Sequence, residues 1–461
     1  MKTEIVFFNP PFNRIKADYV SEASLNRFEM DAINPGILSM ATYLRKKGVG
    51  VEIFDFYREK NIRLVEKEIA EILRQKHPSI VGISNLSAYD YLDTLRLSRL
   101  VKKLNPNIFI LVGGQHASGL KSLVLRDEQC VDGLIEGQGE LAILDLYSKI
   151  KLKKDLFGTR NLWLRDGKGI ILPPSSYASP IFLEEIPPLD FPMYPNARSF
   201  TPFIEESRGC HLGCKYCNNS SFYKRGVQAK SAEKFSIDAN STISFFGKDV
   251  LYAVMTSNFT YKESSKKLKE LKKQGIRWST EISCDIPWYT KVWALGQSGM
   301  FLLNVGFESA SSETLIRMNK TKNPSKYLEN AQRILDKAER CRAMKTRFNI
   351  MIYPGDTLEN IKMTEHFLSK NAGKLDAVVC CPTIAYPGSE LYEELDKIED
   401  KYGALRVATF FCESTHHYPI HPSKDISFEK ATEVCLDLEK KFSSLRMLSL
   451  QHNYKKYEGR I

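Results

Sequence analysis

The sequence predicts an α/β protein built from two parallel-sheet domains, and three observations support this fold class. Strand-like and helix-like segments alternate through the first 150 residues and again after residue 199. Seven prolines fall between Pro173 and Pro195, a density that excludes a continuous helix or a central strand there. A chain of 461 residues is also long enough for two or three domains, each with its own core.

The N-terminal 150 residues alternate short apolar runs with amphipathic segments. The predicted strands are 5–8, 49–56, 80–84 and 108–112, and the predicted helices are 36–47, 65–74 and 92–103. This alternation indicates a parallel sheet with helices on both faces, whose ligands bind at the carboxyl ends of the strands. Four segments are predicted to lie along that rim: 9–14, 84–91, 113–118 and 136–140.

Four short sequences along this rim carry a family resemblance. They are Asn9-Pro-Pro11, Val81-Gly-Ile-Ser84, Leu111-Val-Gly-Gly-Gln-His116 and Asp132-Gly-Leu-Ile-Glu-Gly-Gln-Gly-Glu140. They resemble the cobalamin-binding domain of cobalamin-dependent radical S-adenosylmethionine enzymes, which implies a flavodoxin-like, Rossmann-type domain at residues 1–150. The cobalamin contacts that the resemblance implies are Pro10, Ser84, Ser87, Gly113, Gly114, Gln115, His116, Gly137, Gln138, Gly139 and Glu140.

The loop after the first strand differs from that of related cobalamin domains of the methionine synthase type. There the loop supplies a histidine ligand to cobalt, whereas here it reads Asn9-Pro-Pro-Phe-Asn-Arg14, and no histidine precedes His77. His116 is an alternative ligand, although its position favours the cofactor's nucleotide tail or a loop hydrogen bond. We therefore expect cobalamin whose lower face is not ligated by a histidine of that loop.

Residues 151–198 are predicted to connect the two domains. The segment Asn161–Leu172 has the pattern of a small hairpin that turns at Asp166-Gly167, and the proline-rich chain after it reads as extended. A disordered linker is the alternative. The apolar side chains Trp163 and Phe182 favour docking over disorder, because they provide anchors for packing.

Three closely spaced cysteines open the second half of the chain. Cys210, Cys214 and Cys217 have the spacing C-x3-C-x2-C. Three thiolates can hold three irons of a four-iron, four-sulfur cluster and leave the fourth iron open to a small molecule. Zinc with His211 as fourth ligand is the alternative, but two ligands would then be adjacent residues and no second C-x2-C pair lies nearby.

Later sequences in this half resemble the strand-end motifs of radical S-adenosylmethionine enzymes. They are Gly299–Ala310, Leu315–Lys320, Arg347–Thr357 and Thr383–Tyr392. The resemblance implies a partial, TIM-like (βα)6 barrel at residues 199–415, with a short helical C-terminal region at 416–461. It assigns the cluster to the three cysteines and S-adenosylmethionine contacts to Tyr216, Asn258, Glu308 and Tyr386. At Asn258 the family often carries an acidic residue, so the charge is missing here.

Together the two resemblances imply a cobalamin-dependent radical enzyme with three cofactors: a 4Fe-4S cluster, S-adenosylmethionine and cobalamin. The implied reaction methylates an unactivated carbon, or phosphorus, of a small metabolite or peptide, through a 5′-deoxyadenosyl radical and methylcobalamin. A radical cyclase or ring-rearranging enzyme without net methyl transfer is the second hypothesis. A cobalamin-binding sensor with an idle barrel is the third, and the complete cysteine triad argues against it. No individual catalytic residue is assigned.

Composition bears on partners and location. The formal net charge of +11 favours an anionic substrate or partner, while the lack of a recognisable RNA-binding module argues against nucleic acid. An external electron donor of flavodoxin or ferredoxin type is also expected. No charge-free apolar stretch is long enough to cross a bilayer, and ten dilute cysteines fit a reducing compartment, so we expect a cytoplasmic protein without a membrane partner.

Overall fold

The structure is a computed structural model of the 461-residue chain. It describes residues 2–12, 32–177, 180–223, 226–256, 259–261, 263–341 and 343–443. The described chain forms two compact units. Among the described residues, the first comprises 2–12, 32–200 and Phe410–His417, and the second comprises Thr201–Thr409 and 418–443.

The first unit is built on a seven-stranded sheet. Its strands are β1 Ile5–Asn9, β2 Val51–Asp55, β3 Ile80–Ser84, β4 Phe109–Gly113, β5 Gly133–Ile135, β6 Leu162–Arg165 and β7 Ile171–Leu172. They lie side by side in the order β2-β1-β3-β4-β5-β6-β7. The first five are parallel and in flavodoxin order, which puts the topological switch point between β1 and β3. The predicted flavodoxin-like fold is therefore confirmed.

Helices cover this sheet, as a parallel sheet requires. In the described residues they are α1 Pro35–Lys46, α2 Ile62–Lys76, α3 Ala88–Leu104, α4 Gln115–Leu120, α5 Ser122–Asp127 and α6 Glu140–Lys151. Helix α2 is amphipathic and buries Val65 and Ile69 against Val6 and Phe8 of β1. Because strand β1 is buried along its whole length, it forms the centre of the core.

The connector packs on the first unit. The predicted hairpin is present as strands β6 and β7. Strand β6 pairs antiparallel with β5, so the sheet of the first unit continues beyond residue 150, the predicted end of the N-terminal domain. The proline-rich chain that follows contains three short 3-10 turns at Leu183–Glu185, Phe191–Met193 and Ala197–Ser199. Ile181, Leu183 and Ile186 form a small cluster with Tyr43, so the described part of the connector is anchored by apolar packing.

The second unit contains a six-stranded parallel sheet. The strands of this unit are β8 Phe203–Glu205, β9 Ser207–Arg208, β10 Gln228–Ala229, β11 Leu251–Met255, β12 Arg277–Ser283, β13 Met300–Glu308, β14 Lys345–Ile352, β15 Ala377–Pro382, β16 Ile384–Ala385, β17 Leu405–Arg406 and β18 Tyr418–His421. Strands β8, β11, β12, β13, β14 and β15 pair in chain order, as in an open (βα)6 barrel. Two small antiparallel sheets, β9-β10 and β16-β18-β17, accompany it.

Helices pack on one face of the six-stranded sheet. The helices after β9 in the described chain are α7 Asn219–Phe222, α8 Ala232–Phe246, α9 Ser264–Gln274, α10 Val292–Gln297, α11 Ser312–Arg317, α12 Pro324–Ala338, α13 Leu358–Lys370, α14 Glu390–Glu393, α15 Leu395–Tyr402, α16 Phe410–Thr415, which belongs to the first unit, and α17 Phe428–Phe442. Strand residues such as Ile282, Val305 and Phe348 join helix residues in one core. Their neighbours along each strand therefore face the opposite, interior side of the barrel.

The C-terminal helix α17 covers the edge strand β15. The backbone N–H of Cys380 donates to Glu439 Oε1 at 2.9 Å, and that of Val378 donates to Ser443 Oγ at 2.9 Å. These side chains satisfy backbone groups that an open edge would leave unpaired. Within the predicted helical C-terminal region, α17 ends at Phe442, and residues after 443 lie outside the described chain. None of the described helices combines the length and apolarity needed to span a bilayer.

Candidate active site

The cysteine loop follows β8 and is fixed by segments that come much later in the chain. The N–H of Lys215 donates to the carbonyl of Met318 at 3.0 Å, and Asn319 Nδ2 donates to the carbonyl of Gly213 at 2.8 Å. Before the loop, Gly209 has φ of 89°, and a Cβ there would lie 1.9 Å from a backbone oxygen. Only glycine fits that close approach, which explains the Arg-Gly-Cys sequence.

The three thiols lie within electrostatic range of one another. Cys214 is buried, and Cys210 and Cys217 are half-buried. The pKa of Cys217 is raised to about 11, chiefly by burial and also by the neighbouring Cys214 and Cys210, while a backbone hydrogen bond from Asn219 and the Lys320 ammonium act to lower it. Within the described residues, no three His, Cys, Asp or Glu side chains close around a single ion. In a cluster each cysteine binds a different iron, so three separated thiols in one loop fit that group.

Tyr216, Glu308 and Lys320 form a cluster at the loop, in which Glu308 and Lys320 are buried and Tyr216 is half-buried. The Tyr216 hydroxyl donates to Glu308 Oε1 at 3.1 Å, Lys320 Nζ donates to the same oxygen at 2.9 Å, and Lys320 lies 3.1 Å from the Tyr216 hydroxyl. Burial lowers the pKa of Lys320, but the Glu308 carboxylate outweighs it and holds that pKa well above its usual value. Lysine is therefore charged here and lies near Cys214.

The backbone at Glu308 aims its side chain. The register between β13 and β14 shifts between Gly306 and Glu308, and Glu308 has a left-handed φ of 62°. A bulge of this kind redirects a side chain, and a left-handed non-glycine residue is strained, a combination found at functional sites. Both hydrogen bonds from Tyr216 and Lys320 reach Oε1, and Oε2 accepts none from the described residues, so it can accept from ligand hydroxyls.

The other predicted S-adenosylmethionine contacts are less defined. Asn258 lies outside the described residues. Tyr386 follows β16 and is 39% exposed, with its carbonyl accepting from Ser389 Oγ. Lys320 was missed as a site residue although its motif was recognised. Its signal is a lysine directly after the Met-Asn pair that holds the cysteine loop.

A buried ion network supports the chain just before the cysteines. Glu205 pairs with Arg208 at 2.7 Å and with Lys230 at 3.1 Å, and Lys230 also reaches Asp238 at 2.7 Å. Burial opposes ionisation of Glu205, but Arg208 and Lys230 outweigh it and lower its pKa to about 2. These charges fix β8 and β9 on either side of Glu206 and so fix the start of the loop.

The carboxyl ends of β1, β3, β4 and β5 form one rim in the first unit, as predicted. Asn34 Nδ2 donates to Asn9 Oδ1 at 3.0 Å and to Ser84 Oγ at 2.9 Å, and so joins the ends of β1 and β3. The N–H of Asn85 donates to the carbonyl of Gly113 at 2.7 Å. Asn34 was not predicted as a rim residue, and its only signal in the sequence is its place before Pro35 as a helix N-cap.

The predicted cobalamin residues occupy this rim. Pro10 is buried after β1, Ser84 ends β3, and Ser87 caps α3. The residues Gly113, Gly114 and Gln115 lead from β4 into α4, and the residues Gly137, Gln138 and Gly139 lead from β5 into α6. Glu140 accepts from Ser39 at 2.6 Å and is buried. Their cofactor contacts stay predictions.

One observation supports a polar ligand at the rim, and a second explains how two of the rim loops come together. Asn85 is fully buried, and its Oδ1 has no hydrogen-bond partner among the described residues, so it can accept from a ligand N–H or O–H. Gly114 has φ of 116°, and a Cβ there would lie 2.4 Å from the Asn85 carbonyl oxygen. Glycine therefore lets the two rim loops approach each other closely.

His116 is turned into the protein. Its side chain is 2% exposed, and Nε2 lies 2.9 Å from the Thr415 carbonyl, where an N–H donates. Burial lowers the pKa of His116 to about 3, so the ring is neutral. The hydrogen bond with Thr415 of helix α16 therefore occupies Nε2 of His116. The same helix carries Phe411, whose ring centroid lies 5.9 Å from that of Tyr89. Cobalt ligation by this nitrogen would require the bond to Thr415 to break.

We expect Gly114→Ala to weaken cobalamin binding at least about tenfold, because a methyl group would collide with the Asn85 carbonyl and strain would add about 1–3 kcal/mol. Gly167→Ala is the matched control, since it lies in the β6–β7 hairpin away from the predicted cobalamin contacts and its Cβ would meet nothing within 4 Å. Absorbance titration with cobalamin measures both. Equal affinity of the two variants would contradict the close approach.

Two family comparisons match this chain. Residues 23–146 match the B12 binding domain, and residues 204–368 match the radical SAM superfamily. The first match begins after β1 and covers α1 through β5 and the start of α6, and the second covers the cysteine loop through to α13. The site and its fold thus define a radical S-adenosylmethionine enzyme.

Curated relatives carry related names. An uncharacterized methyltransferase of Pyrococcus horikoshii is 26% identical over 367 residues, 78% of this chain and 77% of the relative. Bacteriochlorophyllide d C-12(1)-methyltransferase of Chlorobaculum tepidum is 24% identical over 53% of each chain. Anaerobic magnesium-protoporphyrin IX monomethyl ester cyclase of Rubrivivax gelatinosus is 26% identical over 35% of this chain and 30% of its own length.

Solved structures share the fold. The radical S-adenosylmethionine methyltransferase TsrM of Kitasatospora setae, with cobalamin and a [4Fe-4S] cluster bound, has a TM-score of 0.71 at 14% identity, over 89% of this chain and 78% of its own. The cobalamin-dependent S-adenosylmethionine radical enzyme OxsB, with aqua-cobalamin and S-adenosylmethionine bound, has a TM-score of 0.65 at 17% identity. The match covers 96% of this chain and 62% of the OxsB chain. The chain belongs to the cobalamin-dependent radical S-adenosylmethionine enzymes. The cofactors of this family are the cluster, S-adenosylmethionine and cobalamin.

Proposed function

We propose that this protein methylates an unactivated carbon, or a phosphorus atom, of a small metabolite or peptide. The observation that carries the proposal is the presence in one chain of a cobalamin-type rim and a radical cysteine loop, because cleavage of S-adenosylmethionine alone needs no cobalamin. The similarity to a curated methyltransferase over 78% of the chain supports it. The chain spans about half the length of the bacteriochlorophyllide d methyltransferase, so the activity of that enzyme gives weaker support for methylation by this chain.

The protein's own residues have distinct roles in this proposal. Once bound, the cluster supplies one electron to cleave S-adenosylmethionine, and cobalamin carries the methyl group to be transferred. Cys210, Cys214 and Cys217 hold the cluster, and the Lys320 ammonium offsets part of the thiolate charge. Glu308 orients nucleoside hydroxyls through Oε2, while Tyr216 and Lys320 fix its other oxygen.

The electron comes from outside the chain in this proposal. An external flavodoxin- or ferredoxin-type protein would supply one electron for each S-adenosylmethionine cleaved, and a second electron to return cobalamin, after methyl transfer, to the state that another S-adenosylmethionine methylates. The net charge of +11 suits an acidic donor of this type as well as an anionic substrate. We place the enzyme in a reducing, cytoplasmic compartment, because its ten cysteines are too dilute along the chain for a disulfide scaffold.

The proposal predicts two products from S-adenosylmethionine. After anaerobic reconstitution with iron, sulfide and cobalamin, and with a strong reductant, we expect 5′-deoxyadenosine together with cobalamin-dependent S-adenosylhomocysteine. Deuterated methyl groups should then appear in a substrate from a metabolite extract. Cleavage to 5′-deoxyadenosine without S-adenosylhomocysteine would instead support the cyclase hypothesis.

The cyclase remains the second candidate because one relative bears that name over 177 residues. A third outcome separates the enzyme from a sensor. A chain that loads the cluster and cobalamin yet forms no 5′-deoxyadenosine would contradict both enzymatic proposals. Omission of cobalamin is the control, since it removes S-adenosylhomocysteine formation and leaves the loading of the cluster unchanged.

A further inference from the structure

Three polar side chains lie next to one another on the interior face of the barrel sheet. Glu281 on β12 pairs in register with Asn304 on β13, and Asn304 pairs with Arg347 on β14. Their sequence neighbours Ile282 and Val305 lie in the helix-facing core. Because side chains alternate along a strand, the three polar residues, here called the polar row, face the barrel interior.

The polar row holds buried groups without partners. Arg347 Nε and Asn304 Oδ1 are buried and form no hydrogen bond within the described residues, and Arg347 has no ion pair there either. Asn304 is only 7% exposed. Arg347 as a whole is half-buried, but its Nε is enclosed without an acceptor, and a buried donor without a partner costs free energy unless a ligand supplies the acceptor. The row therefore lacks an anion beside Arg347 and a donor beside Asn304.

Glu281 completes the row at the other end. The Glu281 side chain is exposed, and it lies on the interior face of the barrel sheet. Desolvation there raises the pKa of its carboxyl, while the charge of Arg347 lowers that pKa. Two strand spacings, about 10 Å between Cα atoms, separate Glu281 from Arg347. The two opposite charges thus flank Asn304 across a gap wide enough for a small head group.

We propose that the polar row binds the substrate through a carboxylate that has an ammonium or hydroxyl group beside it, as in α-amino and α-hydroxy acids. The Arg347 guanidinium pairs with the carboxylate, and Asn304 Oδ1 accepts from the neighbouring donor. Glu281 complements an ammonium in the same position. This inference rests on the proposed function, because the ligand is the substrate of that reaction.

S-adenosylmethionine also carries such a head group, but the position of the row argues against it. In this family that head group binds the open iron beside the cysteine loop. Asn304 lies four residues before Glu308 on β13, and four residues of strand span about 13 Å. The polar row therefore lies toward the amino end of β13, away from Glu308, which is the carboxylate proposed to bind the nucleoside. A ligand other than S-adenosylmethionine fits that position better.

The first test measures stability of the full chain, loaded with cluster and cobalamin and without S-adenosylmethionine. Arg347→Met removes a buried Nε–H that has no acceptor, so we expect its thermal midpoint to rise by about 2–4 °C. Arg317→Met is the matched control. Arg317 pairs with Asp356, so its loss strands a buried carboxylate and should lower the midpoint. A fall of equal size in Arg347→Met would overturn the proposal.

The second test uses glycine as the probe, since it is the smallest α-amino acid. Glycine should raise the midpoint of the wild-type chain by about 2 °C or more, relative to sodium chloride at equal concentration, and leave that of Arg347→Met unchanged. The same shift in both proteins would overturn the proposal. So would a tenfold loss of S-adenosylmethionine affinity in Arg347→Met, which would assign the row to that cofactor. Neither the midpoints of the variants nor the shift with glycine depends on methyl transfer. Failure of the proposed function would show only in the products formed from S-adenosylmethionine, so the two failures are distinguishable.

Discussion

Replacement of Cys214 by alanine is expected to remove the cluster and to lower 5′-deoxyadenosine formation by at least about 1000-fold. Three thiolates are the minimum that holds a cubane cluster with one open iron, and Cys214 is the most buried of the three. With two ligands left, the cluster loses iron and the electron has no route to S-adenosylmethionine. Iron content, visible absorbance and product formation measure the three effects together.

Cys341→Ala is the matched control for that substitution. Cys341 is also a buried free thiol of the second unit, but it packs in the helix-facing core. Its variant should bind as much iron as the wild-type chain and cleave S-adenosylmethionine at a similar rate. If Cys214→Ala kept its full iron content and cleavage activity, the assignment of the cluster to this loop would be wrong.

Lys267→Met is expected to destabilise the second unit by about 3–5 kcal/mol. Lys267 on α9 pairs with Glu206, which lies between β8 and β9, and both side chains are almost completely buried. Thr260 also donates to Glu206, at 3.1 Å. Without the ammonium, Glu206 becomes a buried carboxylate lacking a counter-charge. Chemical denaturation of the full chain, followed by tryptophan fluorescence, measures the loss.

Two further variants isolate the cause of that loss. Lys267→Met combined with Glu206→Gln removes both charges and should recover most of the stability. Lys441→Met breaks an exposed pair with Glu365 and should cost under about 1 kcal/mol. A double variant as unstable as Lys267→Met would show that packing of the lysine, and not the stranded charge, accounts for the effect.

Local sequence patterns predicted much of this fold because they act over short distances. Alternating apolar runs located strands β1, β3 and β4 to within two residues, and parallel order followed from the helices between them. The cysteine spacing located the cluster loop for the same reason. The hairpin was also predicted, but its pairing with β5 was not, because strand pairing depends on contacts distant in sequence.

Side-chain arrangements in the site depended on features that spacing does not encode. Glu308 was predicted as a ligand contact, but the bulge and left-handed backbone that aim it arise from register with β14. Asn34 and Lys320 were missed because each acts through partners far away in sequence, at Ser84 and Tyr216. The polar row likewise requires three strands in register, which only the folded sheet shows.

Helix α16 has a consequence for how the protein is made. The first unit takes Phe410–His417 from late in the chain, and that segment covers His116 and Tyr89. A ribosome therefore releases the whole sheet and rim of this unit long before the residues that finish its packing. Until then the imidazole of His116 lacks its acceptor and the Tyr89 ring lacks its cover. The first half of the chain must wait for translation of the barrel before its own core is complete, so expression of residues 1–200 alone should give an incompletely packed domain.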